Sequence, residues 1–143
     1  MKIAIACDHA GYETKEEVKK FLTAKGHEVI DYGTNGNESV DYPDFAHPLA
    51  ESVEKGESQF GVTLCGSGNG INMVANKHQG VRSALCWNEE ITALARQHNN
   101  ANVCSLPARF ITKMEAVKFV DVFISTAFEG GRHQRRIDKI PVN

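Results

Sequence analysis

The chain has 143 residues, 41% hydrophobic and 24% charged, with a formal net charge of −2, the make-up of one ordinary domain with a real core. That balance excludes a dedicated nucleic-acid or membrane-surface protein, which carries a strong basic excess. No stretch is apolar enough to span a bilayer, and residues 1–8 are too short an apolar run for a signal peptide, so the cytoplasm is the expected location.

In chain order, apolar runs at 2–7, 28–32, 60–65, 81–86 and 102–106 read as strands. They are mostly continuous, as expected when helices cover both faces of a sheet. Helical patterns fill the gaps. Thr14-x-x-Glu17 reads as a capping box ahead of Val18, Phe21 and Leu22, with Gly26 as the stop. Phe45, Leu49 and Val53 space a second helix that closes at Gly56. A third begins inside a glycine-rich loop and runs through Met73, Val74 and Ala75 to about Lys77. Ile91, Leu94 and Ala95 mark a fourth, and Thr112-x-x-Glu115 caps a fifth carrying Val117, Val120 and Ile124. Past Ala127 comes a polar, helical C-terminal extension. The expected fold is α/β: a three-layer α/β/α, Rossmann-like, doubly wound five-stranded parallel sheet, forming a single domain over residues 1–143. In such sheets ligands sit beyond the carboxyl ends of the strands.

Four cysteines, Cys7, Cys65, Cys86 and Cys104, are far apart and form no Cys-x-x-Cys pair, so zinc and redox motifs lack their spacing. Cys7, Cys86 and Cys104 lie in strand-like runs and are expected to be small buried hydrophobes. Cys65 differs, because the run ending at it opens onto Gly66-Ser67-Gly68-Asn69-Gly70. The loop is not a Walker A sequence, since no Lys-Ser/Thr follows. A dinucleotide fingerprint would need glycine at 71, and a Cys-x5-Arg phosphatase loop would need arginine there; Ile71 occupies the position. A tight strand-to-helix turn would account for some of these glycines. Three in five positions behind a cysteine exceed what a turn requires, and point to backbone amides cradling an anion. The same amides, with the positive end of the following helix, would favour thiolate at Cys65.

Three further groups stand out, each with a bland alternative. Asp8-His9-Ala10-Gly11 follows the first strand at the edge that also carries Cys65; it is either a surface turn or a sugar contact, Asp8 accepting from hydroxyls and His9 donating. His98-Asn99-Asn100 ends the fourth helix, where histidine is favoured by the helix dipole alone. Arg132, Arg135 and Arg136 with His133 form the densest basic cluster. Such arginines are usually solvated, yet Arg132 and Arg136 share a helix face and two forked guanidiniums can grip one phosphate.

Together these residues resemble the ribose-5-phosphate isomerase B family, which includes the galactose-6-phosphate isomerase subunits. The resemblance covers essentially the whole chain. It rests on Asp8-His9-Ala10-Gly11, Asp41-Tyr42-Pro43-Asp44, the loop from Cys65 to Gly70, Ala75-Asn76-Lys77, His98-Asn99 and Gly130-Gly131-Arg132-His133-Gln134-Arg135-Arg136. It implies interconversion of D-ribose 5-phosphate and D-ribulose 5-phosphate through a cis-enediolate, in the pentose phosphate pathway. Cys65 would be the base. Amides of Gly66, Ser67, Gly68, Asn69 and Gly70, with the Ser67 hydroxyl, would stabilise the enediolate. His98 would open the sugar ring, helped by Asp8 and His9; Asn99 and Tyr42 would contact the sugar; Arg109, Arg132, Arg136 and His133 would hold the phosphate. The resemblance further implies no cofactor or metal, and a homodimer or homotetramer whose sites combine residues of two subunits. One branch of the family lacks this cysteine and has a glutamate base at the position of Ile71, and Asn100 replaces a frequent aspartate. The full Gly-Gly-Arg-His ending favours a five-carbon substrate. A six-carbon isomerase acting on allose 6-phosphate or galactose 6-phosphate, and a non-catalytic phosphosugar or nucleotide sensor, stand as the alternatives.

Overall fold

Five parallel strands pair in the order β2-β1-β3-β5-β4 in the computed structural model, described here over residues 1–142. They are β1 (Lys2–Cys7), β2 (Glu28–Asp31), β3 (Phe60–Cys65), β4 (Ser83–Leu85) and β5 (Val103–Pro107). Between them run α1 (Tyr12–Ala24), α2 (Pro43–Glu54), α3 (Asn69–Ala75) and α4 (Glu89–Gln97); α5 (Lys113–Ser125) and α6 (Arg132–Ile137) follow. Every strand pair is parallel. The expected three-layer, doubly wound fold is therefore the observed one, and among the described residues no helix is long and apolar enough to cross a membrane.

Alternation along β1 shows how the layers are built. Ile3, Ile5 and Cys7 join the core with Val18 and Leu22 of α1 and Phe119, Val120 and Phe123 of α5. Ala4 and Ala6 face the other way, against Leu49, Ala50 and Val53 of α2. Successive strand residues point to opposite faces, so the small pair lets α2 pack closely while the large ones fill the other layer.

The winding also sets where a ligand can sit. From β1 the chain crosses on one face to the edge strand β2; from β3 it crosses on the other face toward β4. The connections leaving β1 and β3 diverge, which opens a crevice at the carboxyl ends of these neighbouring strands. Asp8 and Cys65 flank that opening, and the Asp8 N–H donates to Leu64 O at 3.1 Å.

Local boundaries differ in places. The capping box expected at Thr14 is absent. Asp8 instead caps a 3-10 turn (His9–Gly11) by accepting from Ala10 N, and α1 begins at Tyr12 behind Gly11, leaving Thr14 buried in its first turn. Gly11 explains the early start, since a Cβ there would lie 2.7 Å from Leu64 Cβ, so the turn is pressed onto β3. The box at Thr112 and Glu115 is present with both of its hydrogen bonds. β4 is shorter than expected; the Asn76 side chain takes over at its start by bonding both N and O of Ser83. α3 stops at Ala75.

Candidate active site

Cys65 ends a strand whose six residues are all buried, and is itself 5% exposed. The segment after β5 is laced to its loop, with Ala108 N donating to Cys65 O at 2.9 Å and Arg109 N to Gly66 O at 3.0 Å. Gly68 has φ +76°, and a Cβ there would come 2.5 Å from Leu85 Cδ1, so only glycine can make this bend. Ser67 Oγ accepts from Asn69 N at 3.2 Å. With its oxygen so engaged, the hydroxyl proton is free to donate to a ligand.

Two expected contact residues wall this loop. The Tyr42 ring stands so close that a Cβ on Gly70 would lie 2.5 Å from it, and the Arg109 guanidinium is 3.1 Å from the corresponding point on Gly66. Asp8, 7% exposed, spends Oδ1 on the cap to Ala10 at 2.9 Å. His9 Nδ1 accepts from Val40 N at 3.2 Å, which places the ring proton on Nε2, the nitrogen left to donate. Ala46 and Ile71 pack around the thiol with Tyr42 and Val74 alongside. Cys7, Cys86 and Cys104 are fully buried, as expected, and burial pushes the Cys7 thiol up to about 12.

The remaining site residues form a second group on another edge. α4 returns between two parallel strands, so its C-cap His98 lies toward the amino ends of the strands. Arg96, two residues earlier, sits over the ring of Phe60 at 4.8 Å. From Phe60 to Cys65 is five strand steps, about 17 Å. His98 stacks on His133 at 4.3 Å with ring planes 16° apart, and its Nε2 is 3.6 Å from Glu129 Oε1. Slight burial, then the neighbouring His98 and Arg132, hold the His133 imidazole below its ordinary value. Arg136 Nη1 donates to Arg132 O at 3.0 Å, so these two arginines do share one face of α6. Asn100 sits at φ +46° and accepts from Arg96 at 2.9 Å, a left-handed position that asparagine tolerates well.

A single chain thus gathers Asp8, His9, Tyr42, Cys65, the glycine loop and Arg109 at one edge, and His98, Asn99, Arg132, His133 and Arg136 away from it. A cavity of ≈610 Å3 is lined by residues of the 32–40 segment and by Phe45, and Cys65 is not among its walls.

Sequence reasoning missed Lys15. Fully buried, it donates to Asp31 Oδ1 at 2.8 Å and to Thr34 O at 2.6 Å. This ties down the segment that leads to Val40 and Tyr42. The available signal was its spacing: Lys15 shares the inward face of α1 with Val18 and Leu22, where a lysine needs a partner.

The Ribose/Galactose Isomerase family matches residues 3–140. The probable ribose-5-phosphate isomerase B of Mycoplasma genitalium is 49% identical over 140 residues, covering 96% of this chain and 92% of that protein. Ribose-5-phosphate isomerase B of Escherichia coli is 41% identical, covering 97% and 93%. Among solved structures, ribose 5-phosphate isomerase from Thermotoga maritima superposes with a TM-score of 0.96 at 52% identity over 98% of this chain and 97% of that one. The M. genitalium enzyme with bound ribulose-5-phosphate gives 0.94 at 48% identity, covering 97% and 93%. With the fold matched end to end and a family match over nearly its whole length, this chain belongs to the ribose/galactose isomerase family.

Proposed function

We propose that this chain interconverts D-ribose 5-phosphate and D-ribulose 5-phosphate, residues 1–143 acting as one cytoplasmic isomerase domain that serves the pentose phosphate pathway. The observation that carries the reading is the Cys65 thiol at the carboxyl end of β3, opening onto a glycine loop walled by Tyr42 and Arg109. Nearly half of this chain is identical to a relative whose structure holds ribulose-5-phosphate, which supports the choice of sugar.

In the opened aldose, the Cys65 sulfur takes the proton from C2. The freed electron pair forms the C1–C2 double bond, and the carbonyl oxygen at C1 becomes an enediolate oxygen. The same proton returns to C1 while the hydrogen of the C2 hydroxyl passes to the C1 oxygen, leaving a hydroxyl at C1 and a ketone at C2, so atoms balance with no net redox change. The barrier comes from negative charge appearing on oxygen. Loop amides and the Ser67 hydroxyl meet it, and one such donor is worth roughly 3–4 kcal/mol in comparable sites. His98 protonates the ring oxygen to open the furanose, with Asp8 and His9 assisting, and Asn99 and Tyr42 hold the hydroxyls. Arg109, Arg132, Arg136 and His133 take the phosphate. Because His98 and α6 lie away from Cys65 within one chain, a working site needs two copies, each lending one half.

A coupled isomerase assay over a phosphosugar panel tests this. Expected is a kcat/KM for ribose 5-phosphate above that for allose 6-phosphate. Cys65→Ala should lose about a hundredfold to ten-thousandfold in turnover while calorimetry still detects ribulose 5-phosphate binding. Binding of the sugar by the unaltered protein without any turnover would return the chain to the sensor class.

A further inference from the structure

His98, Glu129 and His133 are the one group of three histidine, cysteine or acidic side chains, among the described residues, whose donor atoms converge. One ring nitrogen from each histidine and a Glu129 carboxylate oxygen all lie within 4.8 Å of one another. Three segments deliver them: the C-cap of α4, the turn after α5, and α6. Their backbones form one bonded unit. Glu129 N donates to Gln97 O at 3.0 Å, fixing the carboxylate beside the end of α4, and His133 N donates to Gly130 O at 3.4 Å.

We propose that this trio binds a late first-row divalent cation of the zinc class, and that the bound cation withdraws His98 from proton transfer. Two imidazoles and one carboxylate are the donor set such ions take, whereas magnesium and calcium prefer all-oxygen sites. With metal–ligand bonds of about 2.0–2.1 Å, tetrahedral donors stand roughly 3.4 Å apart. The His98 to Glu129 separation of 3.6 Å is already near that value. The stacked rings are not yet arranged for it, since their planes are 16° apart and an imidazole lone pair lies in its own ring plane. His133, partly exposed on a six-residue helix, can turn about its side-chain bonds to face the ion without moving backbone. His98 and Glu129 are 41% and 49% exposed, leaving a fourth position for water or a substrate oxygen. A ring nitrogen committed to a cation cannot carry a proton. This consequence rests on the role proposed for His98; the binding does not.

The test is a Co2+ titration of the metal-free, full-length protein, read by visible ligand-field absorption, with isomerase rates measured in Zn2+ and after added chelator. One ion per chain is expected. Glu129→Gln and His133→Ala should each weaken binding by about tenfold or more. His78→Ala, which breaks the separate His47–His78 contact of 2.8 Å, and Cys65→Ala should leave it unchanged. Unaltered affinity in both Glu129→Gln and His133→Ala overturns the site. So does a sulfur-to-cobalt band that vanishes in Cys65→Ala, or binding abolished by His78→Ala. Chelator-reversible slowing by Zn2+, weakened in Glu129→Gln relative to that variant's own metal-free rate, supports the inhibitory half. Binding by the trio at full isomerase rate overturns that half, and with it the role of His98, while the site itself stands.

Discussion

Cys65 and His98 belong to opposite ends of the sheet: the thiol closes β3 at its carboxyl end, and the imidazole caps a helix returning to the amino edge. Parallel connectivity dictates this, because a crossover helix must finish where the next strand begins. The two cannot reach one pentose within a chain. The thiol's edge also presents apolar surface to water: Met73 of α3 and Phe110, next to Arg109, are 65% and 77% exposed. Covering such residues with a second copy offsets their hydration cost, and a two-fold interface would create two equivalent sites.

This arrangement has a decisive consequence for mixed subunits. Cys65→Ala and His98→Ala, each inactive alone, should recover activity when unfolded together and refolded as a mixture. Random pairing restores about a quarter of the wild-type sites, since only hybrid dimers hold one intact pair. A mixture as inactive as its components would mean that each chain uses its own His98.

The fold was legible because its signals are local: continuous apolar runs, a true capping box at Thr112, and a glycine loop that follows a strand. Thr14 misled for an equally physical reason. Its spacing to Glu17 suits a cap, but the turn held by Asp8 and pressed onto Leu64 through Gly11 started the helix earlier. The site residues were identifiable singly, from chemistry and from family resemblance. The resemblance implied sites shared between two subunits, but which residues fall in which half was not legible, because spacing along a chain carries no information on which edge of the sheet a helix end reaches until the crossovers are drawn. Lys15 was hidden by its partners, Asp31 and Thr34, which lie 16 and 19 residues away.

Thiol reactivity should single out one position. Cys65 is 5% exposed, whereas the other three cysteines are fully buried and Cys7 is raised to about 12. Native protein should take up one equivalent of iodoacetamide, lose activity in step, and be protected by ribulose 5-phosphate; Cys65→Ala should take up none. Labelling of Cys7 at a comparable rate in mass-mapped peptides would contradict the burial argument.

Gly70→Ala tests the wall formed by Tyr42. The added methyl would meet the ring at 2.5 Å, and overpacking of this kind costs about 1–3 kcal/mol. In a Tyr42→Ala background the same substitution should cost much less, as read by a double-mutant cycle in urea. kcat/KM in the single Gly70→Ala variant should fall by about tenfold or more, since a misplaced Tyr42 shifts the substrate. Additive stabilities would place the ring elsewhere.

The buried pair behind the 33–35 segment should leave a signature in pH. Burial pushes the Asp31 carboxyl up, but hydrogen bonds from Lys15, Lys19 and Gly33 N outweigh it and leave its pKa lowered. A lowered carboxylate contributes stability that is present above the unfolded value of about 3.9 and disappears as pH falls through the folded one. Lys19 is raised, chiefly by its bond to Asp31, so its share is present below about pH 10 and lost on going higher. The stability gap between wild type and Asp31→Asn should accordingly be flat from about pH 5 to 9 and close toward pH 3. Lys15→Met, which leaves a carboxylate only 16% exposed with one partner fewer, should cost about 3 kcal/mol or more at neutral pH. Urea denaturation of the three proteins across this range checks both. A wild-type to Asp31→Asn gap that stayed constant down to pH 3 would mean that Asp31 titrates alike in folded and unfolded chains, and that the bonds from Lys15 and Lys19 do not favour its ionised form.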